Sequence, residues 1–253
     1  MAPQQSQHPR RQHGAGPARP AAARTVALLL LAGALAYSTW SAEAFLPTGL
    51  SPRTAYVSEL AAGDQPYGTF FRGADLLAGL LVLAAALYAL LRLPRRGRWP
   101  ALGWAGLALF GAATAADSRL PLSCTPTADP GCLARERAGE VPWTHTAHAV
   151  SSSLAVTGAL IAMVLLTVAA RRRTGPWPAL ARTGPVVVAL ELAATGWTLA
   201  SVAAFDAGHG TWGLGIGQRL QVLCIAVWLV VLARSLAAGA RRPGTAPAGA
   251  PPG

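Results

Sequence analysis

The chain has 253 residues, of which 53% are hydrophobic and only 12% are charged. Soluble domains carry about 25% charged residues, so this composition excludes an ordinary soluble protein and indicates lipid as the main solvent. A net charge of +11 would suggest nucleic-acid binding in a soluble chain. Here the basic residues cluster between apolar runs, which membrane topology explains better. We therefore expect membrane lipids, and no nucleic acid, as partners.

Six apolar runs are long enough, or nearly so, to cross a hydrocarbon core as helices, which takes about 20 residues. They lie at about 25–46, 73–93, 101–116, 145–170, 184–204 and 215–236. The sequence thus predicts an all-α, polytopic bundle of six transmembrane helices that form one membrane domain, 25–236. Residues 1–24 and 237–253 show no apolar periodicity and are predicted to be disordered tails.

The arginines predict which ends of the runs face the cytoplasm. Fifteen of the 21 fall in the N-terminal tail, the connections 92–98 and 171–182, and the C-terminal end, whereas nearly all acids lie on the opposite face. The positive-inside rule therefore places both termini in the cytoplasm. The loops that face out are then 47–72, 117–143 and 205–214. This topology predicts a multi-pass protein of the cell membrane.

The first apolar run has two interpretations. Arg24, the apolar stretch 26–36 and the small residues on either side of Glu43 also resemble a signal peptide with its cleavage site. The run is long for such a peptide, so a retained span is favoured. At the level of sequence the cleaved alternative stays open.

Two of the three cysteines share one predicted outer loop. Cys124 and Cys132 are close enough to close a small ring, whereas Cys224 lies inside an apolar run. Thiols outside the cytoplasm oxidise, so we predict a disulfide, with two free thiols as the alternative. A loop this short stabilises by only about 2.5 kcal/mol in the chain-entropy treatment. The expected effect of the disulfide is therefore to hold the loop over the helix ends.

Two histidines begin the fourth run. His145, His148 and Ser152 are spaced by three and four residues, which places them on roughly one face of a helix near its outer end. With Asp117 from a neighbouring helix they form a candidate ligand set for a divalent metal such as zinc. The alternative is a pair of hydrogen-bonded histidines at the membrane interface.

Polar residues also stand around the start of the second run. Asp75 opens this run, Arg72 precedes it, and Ser58 and Glu59 lie in the loop before it. All four are candidates for an outward-facing pocket. Their simpler interpretations are helix-dipole stabilisation for Asp75, headgroup contact for Arg72, and a cap with a first-turn acid for the loop pair.

The last two runs add one charge each. Glu191 lies about 10 Å into the fifth run at 1.5 Å per residue, where a lipid-facing carboxylate costs about 2.5–3.5 kcal/mol. It is therefore expected to face protein, either in a cavity or in interhelical hydrogen bonds. Arg219 stands in the first turns of the sixth run. We expect its side chain to reach the membrane interface or to pair with an acid, namely Asp117, Asp206 or Glu59.

Three segments carry a resemblance to a known family: YVSELAAGDQPYGTFFRGADLLAG, ALFGAATAADSRLPLSC and HTAHAVSSS. They resemble the actinobacterial branch of the membrane family catalogued as domain of unknown function 998. The likeness covers roughly 25–236 and implies a six-helix integral membrane protein without an assigned reaction.

A looser similarity is to membrane hydrolases of the alkaline ceramidase type, which use a serine, an aspartate and three histidines around zinc. Ser152, Asp117, His145 and His148 are the possible analogues. The chain departs from that pattern, because its last run has no H-x-x-x-H and His209 lies in a loop.

Three functions are consistent with these residues. We expect a polar pocket at the outer side of the bundle that binds a membrane lipid or a small molecule. One alternative is a metal-assisted lipid hydrolase, with His145 and His148 as ligands, Asp117 as third ligand or base, and Arg219 on the developing negative charge. The other is a proton-coupled transporter that uses Glu191. The sequence leaves open whether the protein is an enzyme and which proteins it contacts.

Overall fold

The computed structural model describes residues 18–94, 97–172 and 177–241. Within these ranges all regular secondary structure is helical, so the all-α prediction is confirmed there. The α-helices are α1 (Ala18–Tyr37), α2 (Gly68–Arg92), α3 (Arg98–Asp117), α4 (Pro130–Arg137), α5 (Trp143–Arg171), α6 (Pro178–Asp206) and α7 (Leu214–Gly239). Two 3₁₀ helices, Thr39–Phe45 and Val57–Ala61, lie between α1 and α2.

Five segments of the described chain are long and apolar enough to cross a membrane: Pro20–Phe45, which contains most of α1, and helices α2, α5, α6 and α7. The chain is thus a multi-pass membrane protein by length and composition. Helix α3 is not among the five. It carries Arg98 and Asp117 at its ends and has two tryptophans, a proline and three glycines between them, and these residues lower its mean hydropathy. The predicted count of six therefore stays a prediction.

The tail boundaries differ from those predicted. Helix α1 begins at Ala18, inside the segment 1–24 that the sequence assigned to a disordered tail, and α7 continues to Gly239. The rest of both predicted tails, 1–17 and 242–253, lies outside the described residues.

The six long helices form a closed ring. Around it the order is α1, α2, α3, α5, α6 and α7, and α7 packs back against α1. Each long helix therefore has two neighbours, and its remaining surface faces either the centre of the ring or the lipid. Such an arrangement buries polar groups wherever the apolar core does not fill the centre.

Glycines set the closest helix contacts. A Cβ atom at Gly79 of α2 would lie 2.5 Å from the backbone nitrogen of Ala115 in α3, and one at Gly111 of α3 would lie 2.5 Å from that of Leu83 in α2. Both distances are shorter than any real carbon contact, so the two backbones touch only because both residues lack a side chain. Small residues at helix crossings are the usual means of close approach in membranes.

The largest side chains of the apolar core lie mostly in the half of the ring that is remote from loop 118–142, which we call the cysteine loop. Leu30, Trp104, Leu166, Leu229 and Leu232 are at most 1% exposed and belong to one cluster. Leu30 lies just past the middle of α1, and the other four come from the N-terminal half of α3 and the C-terminal halves of α5 and α7. Most of the buried polar side chains lie in the other half of the ring.

The three loops that the sequence placed on one face meet at one end of the bundle, which we call the loop end. The Gly63 N–H donates to the carbonyl of Leu122 (2.8 Å), and the Gly215 N–H donates to that of Arg53 (3.0 Å). The predicted disulfide between Cys124 and Cys132 is present and joins the start of the cysteine loop to α4. Loops 38–67 and 118–142 therefore form a cover over the helix ends.

Candidate functional site

Two adjoining cavities lie under this cover. The first, which we call the polar cavity, has a volume of about 110 Å³ and lies among α1, α2, α3, α5 and α7. The second, the lateral groove, has a volume of about 440 Å³ and lies among α5, α6, α7 and the cysteine loop. Five residues line both: Ser58, Ser152, Val156, Gln218 and Gln221. The two cavities thus share one wall.

Six of the ten predicted site residues line one or both cavities: Ser58, Asp75, Asp117, His145, His148 and Ser152. The other four, Glu59, Arg72, Glu191 and Arg219, line neither of the two. The prediction thus grouped residues that the fold separates into cavity-lining and structural sets.

Asp117 is the centre of a compact polar cluster. It is the last residue of α3, and Ser151 and Ser152 of α5 both donate to its Oδ1, Ser152 at 3.1 Å. Nδ1 of His148 lies 3.2 Å from the same oxygen. The spacing His148, Ser151, Ser152 is one helical turn, which is why one face of α5 presents all three to α3.

The neighbours of His148 determine its tautomer. Its Nδ1 lies 3.0 Å from the carbonyl oxygen of Leu120, which can only accept, so Nδ1 carries the proton. The Nε2 lone pair is then free, and it lies 3.3 Å from Oγ of Ser152. His148 can therefore accept the proton of Ser152, although that hydroxyl also lies within reach of Asp117.

Asp75 faces the polar cavity from α2, together with polar groups that the sequence analysis did not single out. Thr114 and Trp40 line the same cavity, and the hydroxyl of Thr114 and the indole N–H of Trp40 have no hydrogen-bond partner among the described residues. Buried polar groups are nearly always paired, so unpaired ones mark a place for water or a ligand. Thr114 lies three residues before Asp117, and that helical spacing was the signal in the sequence for it.

His145 belongs to the cysteine loop rather than to the cluster of Asp117. The Ser123 N–H donates to its Nδ1 at 3.1 Å, and its Nε2 lies 3.5 Å from the carboxylate of Glu136. Because Nδ1 accepts, the neutral ring carries its proton on Nε2. This residue therefore links α5 to the loop that the disulfide closes.

The predicted metal site at His145, His148 and Asp117 stays a prediction, and the partners of these side chains do not support it. His145 would have to give up the hydrogen bond from Ser123 to ligate through Nε2, and the free Nε2 of His148 lies beside Ser152, whereas Asp117 lies at Nδ1. Within the described ranges no group of three or more His, Cys, Asp or Glu side chains is arranged to hold an ion. The i, i+3 spacing places both histidine rings on one side of α5, but their ring nitrogens have different partners and do not meet at one point.

Glu59 holds the two covering loops together. It is fully buried and accepts hydrogen bonds from the backbone N–H groups of Tyr56 (2.9 Å) and Thr127 (2.8 Å) and from the Thr127 hydroxyl. Burial raises the pKa of Glu59 above its ordinary range, although these donors act in the opposite direction. Its role is thus structural, and the adjacent Ser58 is the member of the pair that reaches the cavities.

Arg72 is also structural. Its guanidinium donates to the carbonyls of Ala61 (2.7 Å) and Ala62 (3.3 Å) and to the hydroxyl of Thr69. It therefore caps the 3₁₀ helix Val57–Ala61, and the expected contact with lipid headgroups is replaced by protein partners.

Arg219 has a partner that the sequence analysis did not propose. Its Nε and Nη2 lie 2.6 Å from the two carboxylate oxygens of Glu43, and its Nη1 donates to the carbonyls of Ala55 (2.9 Å) and Gly215 (3.1 Å). The expected partners Asp117, Asp206 and Glu59 were wrong. Glu43 was overlooked because its small neighbours resembled a cleavage site, whereas here it ties the segment after α1 to α7.

Glu191 faces protein, as expected, but it faces neither cavity. It is fully buried in α6, where the Thr195 hydroxyl donates to its Oε1 at 3.2 Å and Gln221 of α7 donates to Thr195. Oε2 has no hydrogen-bond partner within the described part of the chain. This chain of contacts joins α6 to α7 below the lateral groove.

Comparison with known proteins gives one match. The model of a family described as "Protein of unknown function (DUF998)" matches residues 30–235. This match confirms the resemblance seen in the sequence, while the actinobacterial branch stays a prediction. No curated protein and no solved structure matches the chain.

Proposed function

The chain belongs to this family of unknown function, and we propose from the geometry of its cavities that it binds a membrane lipid. The apolar chain of the lipid lies in the lateral groove, and its polar end lies in the polar cavity. The observation that carries the proposal is the shared wall of Ser58, Ser152 and Gln218, which joins the groove to the cavity that Asp75 and Asp117 line.

The chemistry of the lateral groove supports an apolar occupant. Leu122, Val156, Leu160, Leu199 and Val202 line it, and most of its lining surface is apolar. Sites of this kind, with a few polar groups at one end of an apolar cleft, are typical for small molecules and lipids.

The groove opens between two helices that are both candidate membrane spans. Ser153, Thr157 and Leu199 line the groove and are also exposed on the outside of the bundle. A lipid could therefore enter from the bilayer without crossing the loop end. Lipid is the solvent on that side, so its concentration favours occupancy by mass action.

A pair of substitutions on one helix tests this proposal. Val202→Trp fills the groove, and Val186→Trp makes the same change on α6 at a position that is 61% exposed and outside the groove. The purified, delipidated protein is titrated with dioleoylphosphatidylethanolamine while thermal unfolding is followed. At one hundred times Kd a single bound lipid stabilises by about 2.7 kcal/mol.

We expect saturable stabilisation in the wild type and in Val186→Trp, and none in Val202→Trp. If Val202→Trp is stabilised as much as the wild type, or if no variant shows saturation, the proposal fails. Unfolding midpoints without lipid show whether each variant is folded.

A second candidate function, hydrolysis of a bound ester, is favoured by the contact between Ser152 and His148. Oγ of Ser152 would attack the ester carbonyl carbon while its proton passes to Nε2 of His148 and then to the leaving alcohol. Water would hydrolyse the acyl–serine and restore the hydroxyl. The metal-assisted form draws no such support, since the two histidines have different partners.

Labelling with a fluorophosphonate tests this candidate. We expect one phosphonyl adduct on Ser152, lost in Ser152→Ala and kept in Ser153→Ala, which removes the adjacent exposed hydroxyl. Mass spectrometry that finds no adduct on the wild type, or the same adduct on both variants, refutes the nucleophilic role of Ser152.

A further inference from the structure

The charges that face the polar cavity are all negative. Asp75 and Asp117 line it, and no arginine is among the described residues that do. Two arginines at the loop end are bound to other partners: Arg219 to Glu43, and Arg72 to the carbonyl of Ala61. An anionic ligand would therefore meet two carboxylates and no cation.

The two carboxylates are placed differently. Asp117 already accepts from Ser151 and Ser152 and lies beside His148. Asp75 accepts no hydrogen bond from the described residues, and the other charged side chain that lines its cavity is Asp117. Like charges in one cavity repel each other unless a proton or another cation lies between them. The carboxylate of Asp75 thus has no positive partner among the described residues that line the cavity.

A second observation also points to a ligand. Thr114 lines the same cavity from α3 and is 6% exposed, and its hydroxyl has no hydrogen-bond partner among the described residues. A threonine in a helix can bond the carbonyl one turn before it, so a hydroxyl left unpaired toward a cavity is available to a ligand. Its oxygen and those of Asp75 and Asp117 form a surface rich in acceptors.

The size of the cavity limits the group that fits. A water molecule needs about 10–15 Å³ of volume measured in this way, and the polar cavity offers about 110 Å³. It therefore has room for a head of several non-hydrogen atoms. A primary ammonium donates three hydrogen bonds and carries one positive charge, whereas a quaternary ammonium donates none. The acceptors favour the primary ammonium.

We propose that the polar cavity binds the primary ammonium group of an amphiphile whose apolar chain lies in the lateral groove, with Asp75 and Asp117 as its counter-ions. This inference rests on the proposed lipid-binding function and adds the chemical class of the ligand. The ammonium belongs either to a free long-chain amine or to an ethanolamine headgroup, and the ligands of the experiment separate these sources.

The experiment uses the full-length protein in phosphatidylcholine nanodiscs, with empty nanodiscs to correct for partitioning. Native mass spectrometry measures binding of dodecylamine, dodecanol, dodecyltrimethylammonium and, separately, dioleoylphosphatidylethanolamine. We expect dodecylamine to bind at least tenfold more tightly than the alcohol or the quaternary amine. Binding of phosphatidylethanolamine as tight as that of dodecylamine assigns the headgroup source, and saturable but weaker binding assigns the free amine.

Asp75→Asn removes one charge without removing a hydrogen bond, so it should abolish the preference for the amine while dodecanol binds as before. The control is Asp64→Asn, which neutralises an exposed acid outside both cavities and should leave the preference unchanged.

Failure of the inference differs from failure of the lipid-binding proposal. If dodecanol binds as tightly as dodecylamine and Val202→Trp weakens both, the groove binds lipid and the ammonium inference is wrong. If neither compound binds saturably, the lipid-binding proposal is wrong. An unchanged preference in Asp75→Asn also overturns the inference.

Discussion

Removing one member of the ion pair between Glu43 and Arg219 should strongly destabilise the protein. The two side chains are 7% and 10% exposed, so either charge left alone would remain buried. Arg219 also supplies hydrogen bonds to the carbonyls of Ala55 and Gly215. Loss of one partner of a buried pair costs about 3–5 kcal/mol. We therefore expect Arg219→Met and Glu43→Gln each to lower the free energy of unfolding by this amount.

The double variant tests the physical reason. With both charges removed, no uncompensated charge is buried, so the cost of Glu43→Gln with Arg219→Met should be clearly smaller than the sum of the single costs. Titration with a denaturing detergent in mixed micelles measures the free energy of unfolding of the wild type, the two single variants and the double variant. Single variants that lose less than about 1 kcal/mol, or a double variant that is additive, would refute a buried pair.

Three further predictions concern the cover and the helix contacts. Because burial raises the pKa of Glu59, the folded state binds its proton more tightly than the unfolded state. Its stabilising contribution is present below the ordinary glutamate pKa and is lost as pH rises through the folded pKa; Glu59→Gln should flatten this part of the pH profile of unfolding. Reduction of the disulfide between Cys124 and Cys132 should cost about 2.5 kcal/mol, measured by unfolding with and without reductant. Gly79→Ala should lower the free energy of unfolding by about 1–3 kcal/mol in the same assay, because the added Cβ atom would overlap the backbone of α3. The control Gly196→Ala, with no atom within 4 Å, should be neutral or stabilising by up to about 1 kcal/mol.

The helices could be predicted because membrane spans depend on local composition. Apolar runs of 16 to 26 residues correspond to the six long helices, and the arginine clusters correctly grouped the loops that meet at one end. The limits of the helices were less predictable. Helix α1 ends at Tyr37 and a 3₁₀ helix follows, a change that apolar composition does not reveal. Helix α4 was missed because it has only eight residues, three of them charged, and shows no apolar run.

The partners in the site were harder to predict than its residues. His148 and Ser152 were grouped correctly because helical spacing determines which side chains share a face. Spacing within one helix does not determine what the neighbouring helix presents, so His145 was placed with a metal although Ser123 holds it. The partner of Arg219 depended on the path of the segment after α1. Thr114 and Trp40 drew no attention because lone threonines and tryptophans are common in membrane helices.

Cross-linking by a photoactivatable phospholipid tests the central claim most directly. A phosphatidylethanolamine with a diazirine in its acyl chain is incorporated with the full-length protein, irradiated, and its adducts are located by mass spectrometry. Lipid binding in the lateral groove predicts adducts concentrated near Leu160 and Val202, lost in Val202→Trp. Adducts spread evenly over outward-facing residues such as Leu77 and Leu91 of α2, which are 53% and 78% exposed, would contradict it.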